Sequence, residues 1–201
     1  MTIYLNMDIR KIIKEAIEQI MSEAAKGFFD IGPNIGLVVT KHTTEQIWLN
    51  LFDFKTKKSV AIITLRRVSN RAWGVTTVAA DGGFGPLIFE VGMMYVSPSG
   101  ICKDRIGETK DGALSIWKKF IEDRIDVKKI AIKEDEPEYS IKNAENPTKF
   151  FMENIICFKK PSIWLGKLIS KGEVLIAQTG ISIHEIDEIG RNYFVDRYKN
   201  G

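Results

Sequence analysis

The sequence predicts a mixed α/β fold of the α+β kind: a mostly antiparallel sheet flanked by helices. Three observations carry this. Four β-rich runs follow one another between residues 35 and 80, separated only by short turns, as in an antiparallel meander. The stretch Asp81-Gly82-Gly83-Phe84-Gly85-Pro86 then bends the last run into an apolar segment of helical length. Amphipathic segments at residues 8–26, 111–124 and 183–199 supply apolar faces to lie on a sheet.

Residues 8–26 place Ile9, Ile12, Ile13, Ala16, Ile17, Ile20, Met21 and Ala24 at helical spacing. Asp8 suits the N-cap and Gly27 the end. Residues 27–34 are turn-rich, with Gly32-Pro33 among them. Strands are expected at 35–41, 46–54 and 59–68, with a break at His42-Thr43-Thr44 and a turn at 55–58. Ala61-Ile62-Ile63-Thr64-Leu65 is apolar enough for a central strand. Ser69-Asn70 leads into the strand 73–80, where Val75, Thr76, Thr77 and Val78 favour an extended chain.

The helix 86–96 is apolar almost all round, through Leu87, Ile88, Phe89, Val91, Met93, Met94 and Tyr95. That pattern belongs to a central helix. Ser97-Pro98-Ser99-Gly100 ends it, and a short strand is expected at 101–106. The helix 111–124 has Ala113, Ile116, Trp117, Phe120 and Ile121 on one face, with Thr109 as its N-cap. Residues 128–149 are polar and read as an exposed excursion, with a short strand at 130–132. Residues 150–158 suit either strand or helix. A short helix at 162–171, ended by Gly172, and a strand at 173–178 follow. Ser182 and Glu185 have capping-box spacing at the start of the last helix. The expected organisation is one domain over 1–201, with a core at 35–133 and a C-terminal extension at 134–201.

With 201 residues, 44% of them hydrophobic and 27% charged, the chain has the make-up of an ordinary globular protein. A net charge of +3 does not by itself argue for a nucleic-acid partner. Two cysteines with no paired spacing suit a reducing compartment. No apolar run reaches membrane-spanning length and the N-terminus lacks a signal-peptide layout, so a cytoplasmic protein without a membrane partner is expected. His42 and His184 have no second ligand at metal spacing, and no metal is expected.

The glycine turn carries the most chemistry. Glycines let a ligand approach the main chain, and the first N–H groups of a helix favour an anion such as phosphate. Asp104-Arg105, beside the short strand, is a candidate for positioning a substrate or moving a proton, or else a structural ion pair. Cys102 reads as core filling, with acyl acceptance as its chemical alternative. His42 is a candidate base. Lys55, Lys57, Lys58, Arg66, Arg67 and Arg71 make the hairpin region basic, which suits a phosphate or merely a soluble strand edge.

The order of meander, strand, glycine turn, helix, strand and helix resembles the core of the GNAT (N-acetyltransferase) superfamily. There the turn after the fourth strand follows the pattern Gln or Arg, two residues, Gly, one residue, Gly or Ala. Gly83-Phe84-Gly85 supplies its second half, while its first position falls on Ala80. A closer resemblance is to GNAT-like proteins of bacteriophages, through Gly83, Gly85, Pro86, the pair Asp104-Arg105, and then Thr109, Ala113 and Trp117. It covers residues 73–124. The resemblance implies an acyl-coenzyme A-dependent N-acyltransferase using acetyl-coenzyme A, with an amine acceptor on a small molecule or protein. It places coenzyme contacts on Val78, Ala80, Gly82, Gly83, Phe84 and Gly85 and catalytic roles on Asp104 and Arg105. Trp117 lies near the place where many of those enzymes carry a tyrosine that protonates the departing thiolate. Two alternatives stand beside it: a catalytically silent GNAT-like phage protein that binds or inhibits a host target in the host cytoplasm, and a nucleic-acid-binding or DNA-modifying phage protein.

Overall fold

The β-rich runs fold as an antiparallel meander of four strands: β1 (Ile35–His42), β2 (Gln46–Asp53), β3 (Lys58–Ser69) and β4 (Ala72–Ala80). The structure, a computed structural model, describes residues 31–103, 111–122, 124, 126–131, 154–158 and 164–200. The chain divides into two compact units, Met1–Pro33 and Asn34–Gly201, and all the elements named here belong to the second. The helix expected at 8–26 and the N-cap Thr109 lie outside the described residues.

After β4 come α1 (Phe84–Tyr95), β5 (Gly100–Lys103), α2 (Asp111–Glu122), β6 (Val127–Ala131), β7 (Asn154–Phe158), α3 (Trp164–Thr179) and α4 (Ile183–Asn200). The seven strands form one mixed sheet in the order β1-β2-β3-β4-β5-β7-β6. Among the described residues only the β4–β5 pair is parallel. A parallel pair needs a crossover, and the glycine turn with α1 provides it.

The apolar girth of α1 follows from its two neighbours. On one side Gly92 lets the helix approach β3 so closely that a Cβ there would lie 3.1 Å from Ile63 Cδ1. On the other, Phe89 meets Trp117 of α2 edge-on, ring centroids 5.2 Å apart. The second face of the sheet is covered by α3, α4 and the turn between them: Leu175 and Ile176 of α3, Ile181 of the turn and Ile186 of α4 pack on Val38, Phe52 and Phe54. Ser182 and Glu185 form the expected capping box: Ser182 N donates to Glu185 Oε2 at 2.9 Å, and Glu185 N to Ser182 Oγ at 3.1 Å.

One expectation for the C-terminal third is corrected and one left open is decided. Residues 164–179 form one continuous helix, not a helix ended by Gly172 and then a strand. Gly172 is there for packing: it rides against the backbone of β1, where a Cβ on Gly36 would come within 2.6 Å of the Gly172 Cα. Residues 154–158, open between strand and helix in the sequence, pair with β6 as a strand.

Burial of Glu90 is the exception within α1. It is 3% exposed and pairs with Arg124 at 2.5 Å; Arg124 also holds Asp126. Burial pushes the Glu90 carboxyl up to about 6, outweighing the pull of Arg124. A raised acid pKa means the folded state holds the proton more tightly than the unfolded chain. This group's contribution is therefore most favourable below its ordinary value of 4.5 and is lost as pH rises through about 6. Glu90→Gln removes that dependence. In urea titrations the stability of wild type relative to E90Q should fall by about 2 kcal/mol across this window; a difference independent of pH would contradict the assignment.

Candidate functional site

β4 is the fourth of seven strands, yet it is paired on its β5 side only from Ala72 to Val75. Its first three residues are buried, while Thr76 is exposed and residues 77–80 are only partly buried. The change comes at a β-bulge: Thr64 pairs with Thr77 and Leu65 with Val75, leaving Thr76 as the extra residue. Side chains hold the bulge. Thr76 Oγ1 donates to the Thr64 carbonyl at 3.2 Å, which leaves the Thr64 hydroxyl to donate to Thr76 Oγ1 at 2.6 Å. Bulges bend and twist a strand away from its neighbour. Among the described residues no strand covers the β5-side edge of β4 beyond Val75. The five residues 76–80, with no β5-side partner among the described residues, run about 16 Å from the bulge to the glycine turn.

The turn itself is open. Gly83 caps α1 with φ of 86°, a left-handed conformation that glycine takes without strain. Cβ atoms built on Gly82 and Gly83 would meet nothing within 4 Å. Phe84 N donates to Asp81 O at 3.0 Å, closing the turn, and Asp81 N donates to Val60 O at 2.8 Å. Among the described residues, the amides of Gly82, Gly83 and Gly85 take no protein partner. Gly85 has a second reason to be glycine: a Cβ there would come 2.9 Å from Ile116 Cδ1 of α2. The carboxylate of Asp81 is committed to α4, accepting from Tyr193 Oη at 3.1 Å and pairing with Arg197. Burial raises the Tyr193 hydroxyl to about 12, so it stays a donor.

A cavity of about 440 Å³ lies on the other side of the bulge, between α4 and the faces of β2, β3 and β4. Trp48, Asn50, Thr64, Thr76, Thr77 and Arg191 are among its walls. Lys41 and Arg191 both approach the Trp48 ring, at 4.9 and 5.6 Å from its centroid. Asn50 is 2% exposed. Its amide nitrogen donates to Ser59 Oγ at 2.9 Å and to the Ile186 carbonyl at 3.2 Å. A carbonyl only accepts, so this orientation is fixed, and among the described residues Oδ1 is left as a buried acceptor without a partner.

Of the residues expected at the site, Val78, Ala80, Gly82, Gly83, Phe84 and Gly85 come together along the β4 edge and turn. Asp104 and Arg105 lie outside the described residues. His42 is elsewhere: through Ile47 and Leu65 it lies level with Val75, three strands from β4. Its Nδ1 meets Tyr95 Oη at 3.1 Å, tying the last turn of α1 to β1. Trp117 and Cys102 are core, Cys102 lying beside Ala72 and Ile155. The basic hairpin is two separate groups. Lys55, Lys57 and Lys58 lie at the glycine-turn end of the sheet, and Arg66 and Arg67 lie about 26 Å along β3 from Lys58. Glu90, Asn50 and Lys103 were not singled out by sequence reasoning; the visible signal for each is a polar residue in an otherwise apolar run.

No family model, curated protein or solved structure matches the chain. No described helix is long and apolar enough to cross a membrane.

Proposed function

We propose that the protein is an acyl-coenzyme A-dependent N-acyltransferase of GNAT type. One observation carries the reading: a mid-sheet strand whose β5-side edge has no partner strand among the described residues, running from a bulge to an open glycine turn at a helix start. The amides of Gly82, Gly83 and Gly85 suit a diphosphate, since open space faces two of them and the helix end adds partial positive charge. The free backbone of the 76–80 edge, including Val78 and Ala80, suits an extended amide-bearing arm and can polarise a carbonyl beside the bulge. Acetyl-coenzyme A would supply an activated acyl group. The cavity beneath α4 shares Thr76 and Thr77 with that edge and suits the amine acceptor. Asn50 Oδ1 offers the acceptor a hydrogen-bond partner, and Arg191 favours an anionic substituent.

The expected result is thermal stabilisation by coenzyme. At a hundredfold excess over Kd, acetyl-coenzyme A should raise Tm by roughly 5–10 °C. No rise at millimolar ligand would end the proposal. A catalytically silent binding module is favoured by one observation: Tyr95 is engaged with His42 and Trp117 is buried, so neither supplies a proton at the β4 edge. Binding without release of free thiol to any amine would select that reading.

A further inference from the structure

Lys103 is the last residue of β5 and is only 9% exposed. Its cross-strand partner is Val75, the last paired residue of β4 before the bulge at Thr76. It therefore sits at the apex where, among the described residues, the parallel pair ends. Val75 in turn pairs with Leu65, which lies against Gly92 of α1. This puts Lys103 on the α1 side of the sheet, opposite the cavity beneath α4. Among the described residues its amine makes no hydrogen bond and no ion pair. A buried ammonium without a partner is costly, and burial lowers the pKa of this amine below the ordinary lysine value. The uncharged form of an amine is the nucleophile, and burial shifts this lysine toward that form.

We propose that Lys103 is an acyl-accepting amine that is itself acylated by an activated donor, a thioester first, brought to the β4 edge. The proposal rests on the coenzyme reading for its natural donor, but the reactivity of the amine does not. In the step, the Nζ lone pair forms a bond to the acyl carbon and the carbon–sulfur bond breaks. The thiol leaves with the proton lost by nitrogen, and the product is a neutral secondary amide. Acylation thus replaces a group that is costly to bury by one that is less so. The protein is expected to gain thermal stability when modified.

The test uses two probes on the full chain, with peptide mapping by mass spectrometry. Trace acetic anhydride reports intrinsic reactivity. Lys103 should be labelled several-fold faster than the exposed Lys118 and Lys129 at neutral pH. Acetyl-coenzyme A reports reactivity at the site. Lys103 should gain one acetyl group, the modified protein should melt higher, and K103R should gain none at this position. K103M removes the buried charge and should fold at least as stably, so the comparison survives if K103R is damaged. Coenzyme binding with Lys103 left unmodified overturns the inference and leaves the acyltransferase reading standing. Preferential labelling by anhydride without coenzyme binding supports the reactive amine and removes its thioester donor. Labelling no faster than at Lys118 with either probe overturns the inference outright.

Discussion

Gly82→Val is expected to weaken acetyl-coenzyme A binding by at least about tenfold, or roughly 1.4 kcal/mol, while leaving the fold intact. The two halves of this result come from different observations. A Cβ at Gly82 meets no atom within 4 Å, and the residue is exposed and has no left-handed backbone to strain. Its cost to folding should stay within about 0.5 kcal/mol, as for other surface changes. The space a valine would fill is, however, the approach to the turn's amides. Close main-chain contact with a phosphate is what glycine permits and a branched side chain denies. Calorimetric titration of both proteins, with Tm measured alongside, checks this. Equal affinities would move the anion site away from the turn. Gly83→Val is a less clean test, because φ of 86° adds backbone strain of its own.

Gly172→Val is expected to cost about 3 kcal/mol and lower Tm by about 10 °C. A Cβ at this position would fall on the Leu37 carbonyl, which is backbone and has no rotamer to change. Gly36 faces it from β1 with no side chain of its own, so strand and helix meet backbone to backbone. Relief requires α3 to lift from β1, which loosens Leu175 and Ile176 from Phe52 and Phe54. Helix propensity cannot compensate, since valine is only slightly better than glycine inside a helix. A Tm unchanged within a degree would mean that α3 does not pack on β1 as described.

The same glycine shows where the sequence misleads. Gly172 reads locally as a helix stop because its reason for being glycine lies in β1, far away in the chain. The meander was legible because alternation and turn residues are local signals. The Asp53 turn is an example: its carboxylate accepts from Lys55 N at 2.9 Å and from Thr56 Oγ1 at 2.9 Å. The glycine turn and the capping box at Ser182 were legible for the same reason. The bulge at Thr76 was not. Val75-Thr76-Thr77-Val78 contains no Gly or Pro, and the irregularity appears only when the register with β3 is set. Glu90 was passed over as one charge in an apolar helix, because its partner Arg124 stands 34 positions later. Asp81, the carboxylate beside the proposed diphosphate, is engaged by Tyr193 and Arg197 from the far end of the chain.

The central claim is that the main-chain amides at the start of α1 bind the diphosphate of an acyl-coenzyme A along the free edge of β4. A ¹⁵N–¹H correlation titration with acetyl-coenzyme A tests it most directly. The account predicts saturable shifts that are largest at Gly82, Gly83 and Gly85 and continue through residues 76–80. Saturation with those amides unmoved, or no shift anywhere at millimolar ligand, would contradict it.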